Sequence, residues 1–199
     1  MQAILAPTTC GSCGTVLVWR NDLLFCNEPY CPAQISKQIE HFAKTLKIKG
    51  LGPKTIEKLH LSSIHEIYSL DYDLTMLALS SKPLTEKLLI EIDNSKKATL
   101  NQLLPAFSIP LVGKTATEKL SATVLSIAEI TPDKCQEAGL GAKTTESLMD
   151  WLEDEWLFGD VGKLPFSFEF EQKAPQQEAH GIVCISGKLK SFPTKNAAT

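Results

Sequence analysis

The feature that most constrains the fold of this chain is an eight-residue pattern that recurs along its middle. The pattern opens with Gly, has Glu five residues later and Leu seven residues later, and occurs at 52–59, 113–120 and 141–148. A fourth copy at 81–88 opens with Ser81 instead. The openers lie 29, 32 and 28 residues apart, so each unit has room for about two short helices and their turns. Recurrence on this scale predicts a helical repeat.

An apolar stretch precedes each Gly, and apolar residues at helical spacing follow it, which predicts two helices joined by a tight hairpin. Glycine lets such a hairpin turn and expose N–H groups at the start of the second helix. These donors and the helix dipole favour an anion such as a backbone phosphate of DNA, which would be held without reading sequence. The predicted DNA-binding residues are Gly50, Gly52, Lys54, Thr55, Gly113, Lys114, Thr115, Gly139, Gly141, Lys143 and Thr144.

The repeat has a plainer interpretation, in which the glycines only cap helix ends. Three copies with Gly and Lys in nearly the same place favour phosphate binding, whereas the copy at Ser81 is expected only to pack. Gly113-Lys114-Thr115 is not a nucleotide P-loop, because that motif needs Gly at position 108, which is Ser108.

Four of the six cysteines lie in the first 31 residues, as Cys10-x2-Cys13 and, after twelve residues, Cys26-x4-Cys31. Two close pairs of this kind can bring four thiolates to one tetrahedral ion. The residues between them predict two short strands joined at Asn21-Asp22. We therefore expect a zinc ribbon with Zn2+ in a structural site; two disulfides or four free thiols are the alternatives.

Composition sets the class of protein. Hydrophobic residues make up 43% and charged residues 22% of the chain, which is typical of a globular protein. No apolar run is long enough for a membrane span and no signal peptide precedes the first module, so we expect a cytoplasmic protein. The net charge is −3, and basic residues outnumber acidic ones only in residues 1–62. Any contact with DNA must therefore be local, with backbone amides supplying much of it.

Together these modules resemble the C-terminal half of bacterial-type NAD-dependent DNA ligase. The resemblance rests on Cys26-Asn27-Glu28-Pro29-Tyr30-Cys31-Pro32-Ala33-Gln34, on His41-Phe42 and on Ile48-Lys49-Gly50-Leu51-Gly52, and it extends from Pro7 to about Trp151. It implies four helix-hairpin-helix units that grip nicked duplex DNA. It also implies a ribbon that fixes the angle to a preceding OB domain.

The family's chemistry implies further partners. Such ligases attach AMP from NAD to a Lys in a Lys-x-Asp-Gly-type motif and then seal the nick with Mg2+. Neither Lys-x-Asp-Gly nor Lys-x-His-Gly occurs in 1–199. We therefore expect no catalytic residue here, inactivity of the chain by itself, and a nucleotidyltransferase/OB portion or subunit as partner. NAD and Mg2+ would act only through that half.

The expected fold class is mainly α: a four-cysteine zinc ribbon at 1–35 and an all-α helix-hairpin-helix domain at 36–151. A linker is predicted at 152–180, because this stretch is mixed and contains Glu153-Asp154-Glu155, Pro165, Pro175 and Gln176-Gln177. The strand-like residues 181–199 resemble the start of a BRCT domain, although 19 residues are too few for that fold. The alternative function is a stand-alone, non-catalytic DNA-binding adaptor in repair or replication.

Overall fold

The computed structural model describes residues 6–171, and it begins with a small two-stranded ribbon. Strand β1 (Leu17–Arg20) pairs antiparallel with β2 (Leu23–Cys26). The turn between them holds Asn21 and Asp22 at φ values of 48° and 60°. Asn and Asp tolerate this left-handed conformation better than most residues, so they suit a two-residue hairpin turn. The ribbon predicted from the sequence is confirmed.

Helices make up most of the remainder. Four of them have a proline in the first turn, where the missing N–H would have no partner in any case. The helices are α1 (Pro32–Thr45), α2 (Pro53–Lys58), α3 (Ile64–Tyr68), α4 (Tyr72–Leu79), α5 (Lys82–Ser95), α6 (Leu100–Ala106), α7 (Lys114–Leu120), α8 (Pro132–Glu137) and α9 (Ala142–Trp151).

Four short connections join these helices in pairs at the four copies of the sequence pattern. Hairpin 1 (46–52) joins α1 to α2, hairpin 2 (80–81) joins α4 to α5, hairpin 3 (107–113) joins α6 to α7, and hairpin 4 (138–141) joins α8 to α9. We call the four helix pairs units 1 to 4. The predicted fold class, mainly α with a small ribbon, is thus confirmed for residues 6–171.

The units pack around two apolar cores. Units 1 and 2 share the first core, in which Phe42 and Ile67 have no exposed surface. Units 3 and 4 share the second, in which Leu120, Cys135 and Leu148 are also fully buried. Burying one such leucine contributes about 1.5–3 kcal/mol, so each pair of units is held mainly by its own core.

Aromatic rings connect the two cores. Phe107 and Phe166 pack against both clusters of buried residues. The Phe42 ring lies 5.5 Å from that of Phe107 and 6.4 Å from that of Phe166. On the far side, the Phe107 ring is 5.1 Å from Trp151. Tilted and edge-on contacts at these distances are favourable for aromatic pairs.

The segment predicted as a linker is in part packed structure. A π-helical stretch, Leu152–Leu157, continues α9. Beyond it, the segment 164–171 lies against the second core, with Leu164, Phe168 and Phe170 buried. The backbone N–H of Leu100 donates to the carbonyl of Glu169 at 2.8 Å. The linker interpretation is therefore wrong for residues 152–171.

The other predicted boundaries fare differently. Helix α1 starts at Pro32, immediately after the last cysteine of the ribbon, so its first turn lies within the range 1–35 assigned to that module. The remainder of the predicted linker and the BRCT-like start at 181–199 lie outside the described residues.

Candidate functional site

The four predicted metal ligands lie together at one end of the ribbon. The Sγ atoms of Cys10, Cys13, Cys26 and Cys31 are all within 4.8 Å of one another. Cys10 and Cys31 are separated by 3.9 Å between sulfurs, and Cys13 and Cys26 by 3.5 Å. A disulfide needs about 2.05 Å, so these are free thiols.

This spacing fits a tetrahedral ion. Four sulfurs, each about 2.3 Å from a central zinc-sized ion, lie about 3.8 Å from one another. The two sulfur pairs above differ from that value by only a few tenths of an ångström. Four thiolates complete the coordination, so a metal held here would be structural.

The local backbone explains why the cysteines converge. The N–H of Cys10 donates to the carbonyl of Thr15 at 2.8 Å, and the N–H of Gly14 donates to the carbonyl of Cys10 at 2.9 Å. Gly14 has a φ of 75°, which favours glycine and closes this first turn tightly. At the other end, Cys31 is the N-cap of α1. The Gln34 side chain, in the first turn of that helix, donates to the backbone carbonyl of Cys26.

Neighbouring donors distribute charge unevenly over the thiols. Hydrogen bonds from the Thr15 side chain and backbone lower the pKa of Cys13 to about 6. The backbone N–H of Glu28 also acts to lower the pKa of Cys26. Burial and hydrogen bonds with the other three thiols outweigh it and raise that pKa to about 12. Cys13 thus ionises more readily than Cys26, and a bound cation would offset the repulsion between neighbouring thiolates.

The predicted DNA-binding residues lie at hairpins 1, 3 and 4 and in the first turns of the helices that follow. All are exposed or half-buried. Gly50 and Gly52 belong to hairpin 1, Gly113 ends hairpin 3, and Gly139 and Gly141 belong to hairpin 4. The accompanying side chains Lys54, Thr55, Lys114, Thr115, Lys143 and Thr144 begin α2, α7 and α9.

The tight turn lies at a different position from the one expected. The sequence suggested that the glycine opening each copy lets the hairpin turn. Gly52, Gly113 and Gly141 instead have extended backbone, with φ of −98°, −105° and −72°. The left-handed residue lies two positions earlier and is Gly50, Leu111 or Gly139. Conformation therefore does not require glycine at the opening position.

Packing within the chain does not require it either. A Cβ built on Gly52, Gly113 or Gly141 meets no atom within 4 Å among the described residues. No backbone carbonyl in 6–171 accepts the N–H of any of the three. These three positions thus combine a bare backbone, open space and a free donor.

Three other helix starts in the same domain are closed by side chains. Ser63, Asp71 and Thr131 cap α3, α4 and α8 by accepting a backbone N–H of the first turn. The three glycine N-caps have no side chain that could do so. Hairpin 2 differs from both groups, because Ser81 caps α5 without a side-chain hydrogen bond.

The lysines beside the hairpins are exposed. Lys114 lies 3.9 Å from Glu118, with 85% of its side chain accessible, so this ion pair is weak. Within residues 6–171 neither Lys54 nor Lys143 forms an ion pair. All three ammonium groups are free to turn toward an anion bound at a hairpin.

Comparison with known proteins finds extensive similarity to one group of enzymes. The DNA ligase of Lactobacillus helveticus (strain DPC 4571) is 34% identical over 208 residues, covering 94% of this chain. The DNA ligase of Psychromonas ingrahamii is 31% identical over 196 residues and 92% of the chain. This chain is homologous to a part of DNA ligases. No family model matches it.

The ligase relatives are much longer than this chain. It spans 31% of the L. helveticus ligase, 30% of the P. ingrahamii ligase and 18% of the DNA ligase of Methylacidiphilum infernorum, to which it is 35% identical over 127 residues. The resemblance to the ligase family is confirmed, with the four-cysteine cluster consistent with the predicted half of the enzyme.

One exposed surface of this chain was not predicted from the sequence. Val18 lies opposite Phe25 across the ribbon, and Val16 and Leu23 follow on the same face because side chains alternate along a strand. Val16 and Leu23 are 68% and 62% exposed, and the central pair 41% each. Val16-Leu17-Val18-Trp19 and Leu23-Leu24-Phe25 are continuous apolar runs, so no alternation in the sequence marks this face.

No helix in the described part of the chain is long and apolar enough to cross a lipid bilayer.

Proposed function

We propose that this chain is the DNA-binding portion of an NAD-dependent DNA ligase. It would hold nicked duplex DNA through hairpins 1, 3 and 4. A nucleotidyltransferase and OB portion outside this sequence would seal the nick with NAD and Mg2+. The ligase relatives support the enzyme class.

The observation that carries the proposal is the set of three bare helix starts. Gly52, Gly113 and Gly141 leave first-turn N–H groups without a capping side chain and with no Cβ to keep a ligand at a distance. Backbone donors at a helix start favour a phosphate oxygen, and a phosphate can approach them closely only where no side chain intervenes. Ser63, Asp71 and Thr131 cap three other helices of the same domain through their side chains, so the bare starts are not a property of every helix here.

The ribbon would bind Zn2+ through its four thiolates and hold a fixed shape beside α1. Its exposed face, formed by Val16, Val18, Leu23 and Phe25, supports contact with the catalytic portion, because apolar surface of this kind favours a protein partner. Free thiols at these separations also support a reducing, cytoplasmic location.

A binding experiment tests the hairpins. Gly113→Ala fits the extended backbone and the open space, so the fold should persist. Affinity for nicked duplex should fall about threefold to tenfold because the added methyl group holds a phosphate away from the amides. Ser81→Ala is the matched control at the equivalent position of hairpin 2 and should leave affinity unchanged. Equal Kd values for Gly113→Ala and the unaltered chain would contradict the proposal.

A sealing experiment tests the enzyme assignment. A form of the L. helveticus DNA ligase without the region matched by this chain is mixed with nicked DNA, NAD and Mg2+, with and without the chain. Faster sealing with the chain supports a role as ligase portion, and a chimera in which the chain replaces that region should seal as well. Binding of nicked DNA without any sealing in either format would favour the adaptor function.

A further inference from the structure

Two hydrogen bonds cross directly between units 3 and 4. The Lys119 ammonium, on α7 of unit 3, donates to the backbone carbonyl of Gly139 in hairpin 4 at 3.1 Å. The Ser147 hydroxyl, on α9 of unit 4, donates to the carbonyl of Pro110 in hairpin 3 at 2.8 Å. Each unit thus contacts the turn of the other.

The two donors occupy the same position in the repeat. Lys119 lies six residues after Gly113, and Ser147 lies six residues after Gly141. The accepting carbonyls differ by one repeat position, since Pro110 lies three residues before Gly113 and Gly139 two residues before Gly141. The exchange is therefore that of two similar units related by an approximate local two-fold axis. The shared second core, with Leu120 and Leu148 both fully buried, supports the same pairing.

The accepting carbonyls belong to the peptides that shape the turns. Pro110 precedes Leu111, which has a φ of 65° although it is not glycine and is 65% exposed. Because a peptide group is planar and trans, fixing the carbonyl of Pro110 also fixes the direction of the N–H of Leu111. In hairpin 4 the next N–H, of Leu140, is held in turn by the carbonyl of Cys135 at 3.0 Å.

Units 1 and 2 lack this link in the described part of the chain. Lys58 and Lys87 occupy the equivalent repeat position, but neither donates to the hairpin of the other unit within residues 6–171. A groove of about 350 Å³, with Pro110 on one wall and Lys143 and Ser147 on the other, confirms how closely hairpin 3 lies beside α9.

We propose that Lys119 and Ser147 are positioning residues that lock hairpins 3 and 4 into one bidentate phosphate-binding unit. The proposal rests on the proposed function, since it assumes that each hairpin binds a phosphate. Two sites held at a fixed separation bind two phosphates of one duplex together, because the second contact forms at high effective concentration. Hairpin 1, which has no such link, contributes independently.

The first test removes one of the two hydrogen bonds at a time and compares each variant with a control substitution of the same chemical type. Ser147→Ala removes a hydroxyl and no charge; its control is Ser121→Ala, another half-buried serine, which bonds only within its own helix end. Lys119→Met is matched by Lys58→Met, which removes the same charge at the same repeat position. Affinity for nicked duplex should fall about threefold to tenfold for Ser147→Ala and for Lys119→Met relative to their controls. Lys119→Arg, which can still donate to the carbonyl, should restore most of the loss.

The second test measures coupling between the hairpins. In the unaltered chain, Gly113→Ala and Gly141→Ala should be strongly non-additive in binding, because either change already removes the bidentate contact. In the Ser147→Ala background the two effects should become nearly additive. Helical content and the thermal midpoint, measured alongside, should be the same for Ser147→Ala and Ser121→Ala.

The outcomes separate the inference from the proposed function. If neither glycine change weakens binding, the hairpins are not phosphate sites and both ideas fail. If each glycine change weakens binding, but additively, and Ser147→Ala and Lys119→Met match their controls, the proposed function stands and the positioning role is overturned. If Lys119→Met weakens binding while Ser147→Ala and Lys119→Arg do not, Lys119 acts by its charge on DNA rather than by positioning the hairpins.

Discussion

The four-cysteine ribbon and the helical region hold their shape in opposite ways. Within residues 6–31, Cys31 alone is buried, and apolar side chains such as Trp19 stay largely exposed. In the helical region, Leu100, Leu103 and Leu104 have no exposed surface at all. The ribbon therefore depends on its ligand set, whereas the helices depend on apolar burial. One chain thus contains a part that a bound metal would stabilise and a part whose stability should not depend on metal.

Removing a bound metal should unfold the ribbon and leave the helical region folded. This is the largest effect we expect. Binding of a structural metal supplies about 10–16 kcal/mol in small thiolate modules, and the ribbon has no core to replace it. A chelator, or Cys31→Ser, should abolish metal content and the hydrogen-exchange protection of the β1–β2 amides. Far-UV circular dichroism of the helices should be retained.

Cys135→Ser provides the opposite control for the metal experiment. This thiol is fully buried in the second core and far in sequence from the four ligands. Its replacement by a polar group should destabilise the helices and leave metal content intact. Loss of helicity on chelation would show instead that the two regions fold as one.

Phe168→Ala should produce the next largest effect, confined to the helical region. Phe168 is buried, and its ring packs 4.6 Å from that of Trp156. Truncating a buried phenylalanine costs about 3–5 kcal/mol, which urea unfolding would measure. Phe158→Ala, at a position 80% exposed, is the matched control and should change stability by less than about 0.5 kcal/mol. Similar losses for both would refute the packed position of segment 164–171.

Gly141→Ser should have the smallest effect on stability. It should stabilise the fold slightly and weaken DNA binding. A serine N-cap can accept a first-turn N–H, so α9 should gain a few tenths of a kcal/mol. The same donors would then be lost to a phosphate, and affinity for nicked duplex should fall. Thermal unfolding and DNA titration of one variant measure both. A gain in stability with unchanged affinity would remove hairpin 4 from the proposed DNA contacts.

Much of the fold could be predicted, because its signals are local. The repeated Gly, Glu and Leu mark the second helix of each unit, and the cysteine spacing gives the ribbon. The left-handed turn residues were assigned to the wrong position because the pattern aligns on Gly113, whereas Leu111 adopts the conformation that Gly50 adopts in unit 1. A leucine carries no sequence signal for positive φ.

The packing of segment 164–171 was missed for a related reason. The acidic run Glu153-Asp154-Glu155 and the two prolines of residues 152–180 suggested a linker. Leu164, Phe166, Phe168 and Phe170 nevertheless alternate with other residues, the period expected of an extended strand with one buried face. The long-range partners of the segment, such as Leu100, lie about 70 residues away and leave no local trace. The links through Lys119 and Ser147 escaped notice in the same way, since no sequence pattern encodes side chains that reach another unit's backbone.

The position of segment 164–171 also affects how the chain folds as it is synthesised. Its backbone hydrogen bonds run back to Leu100 and Ile127, and Phe166 reaches the first core. A nascent chain adds about 5–20 residues per second, so units 3 and 4 leave the ribosome seconds before the segment that completes their core. During that interval the second core is open along one side. A nascent chain stalled with residues up to 163 outside the exit tunnel should therefore be cut readily by proteases in units 3 and 4, and emergence of segment 164–171 should protect it.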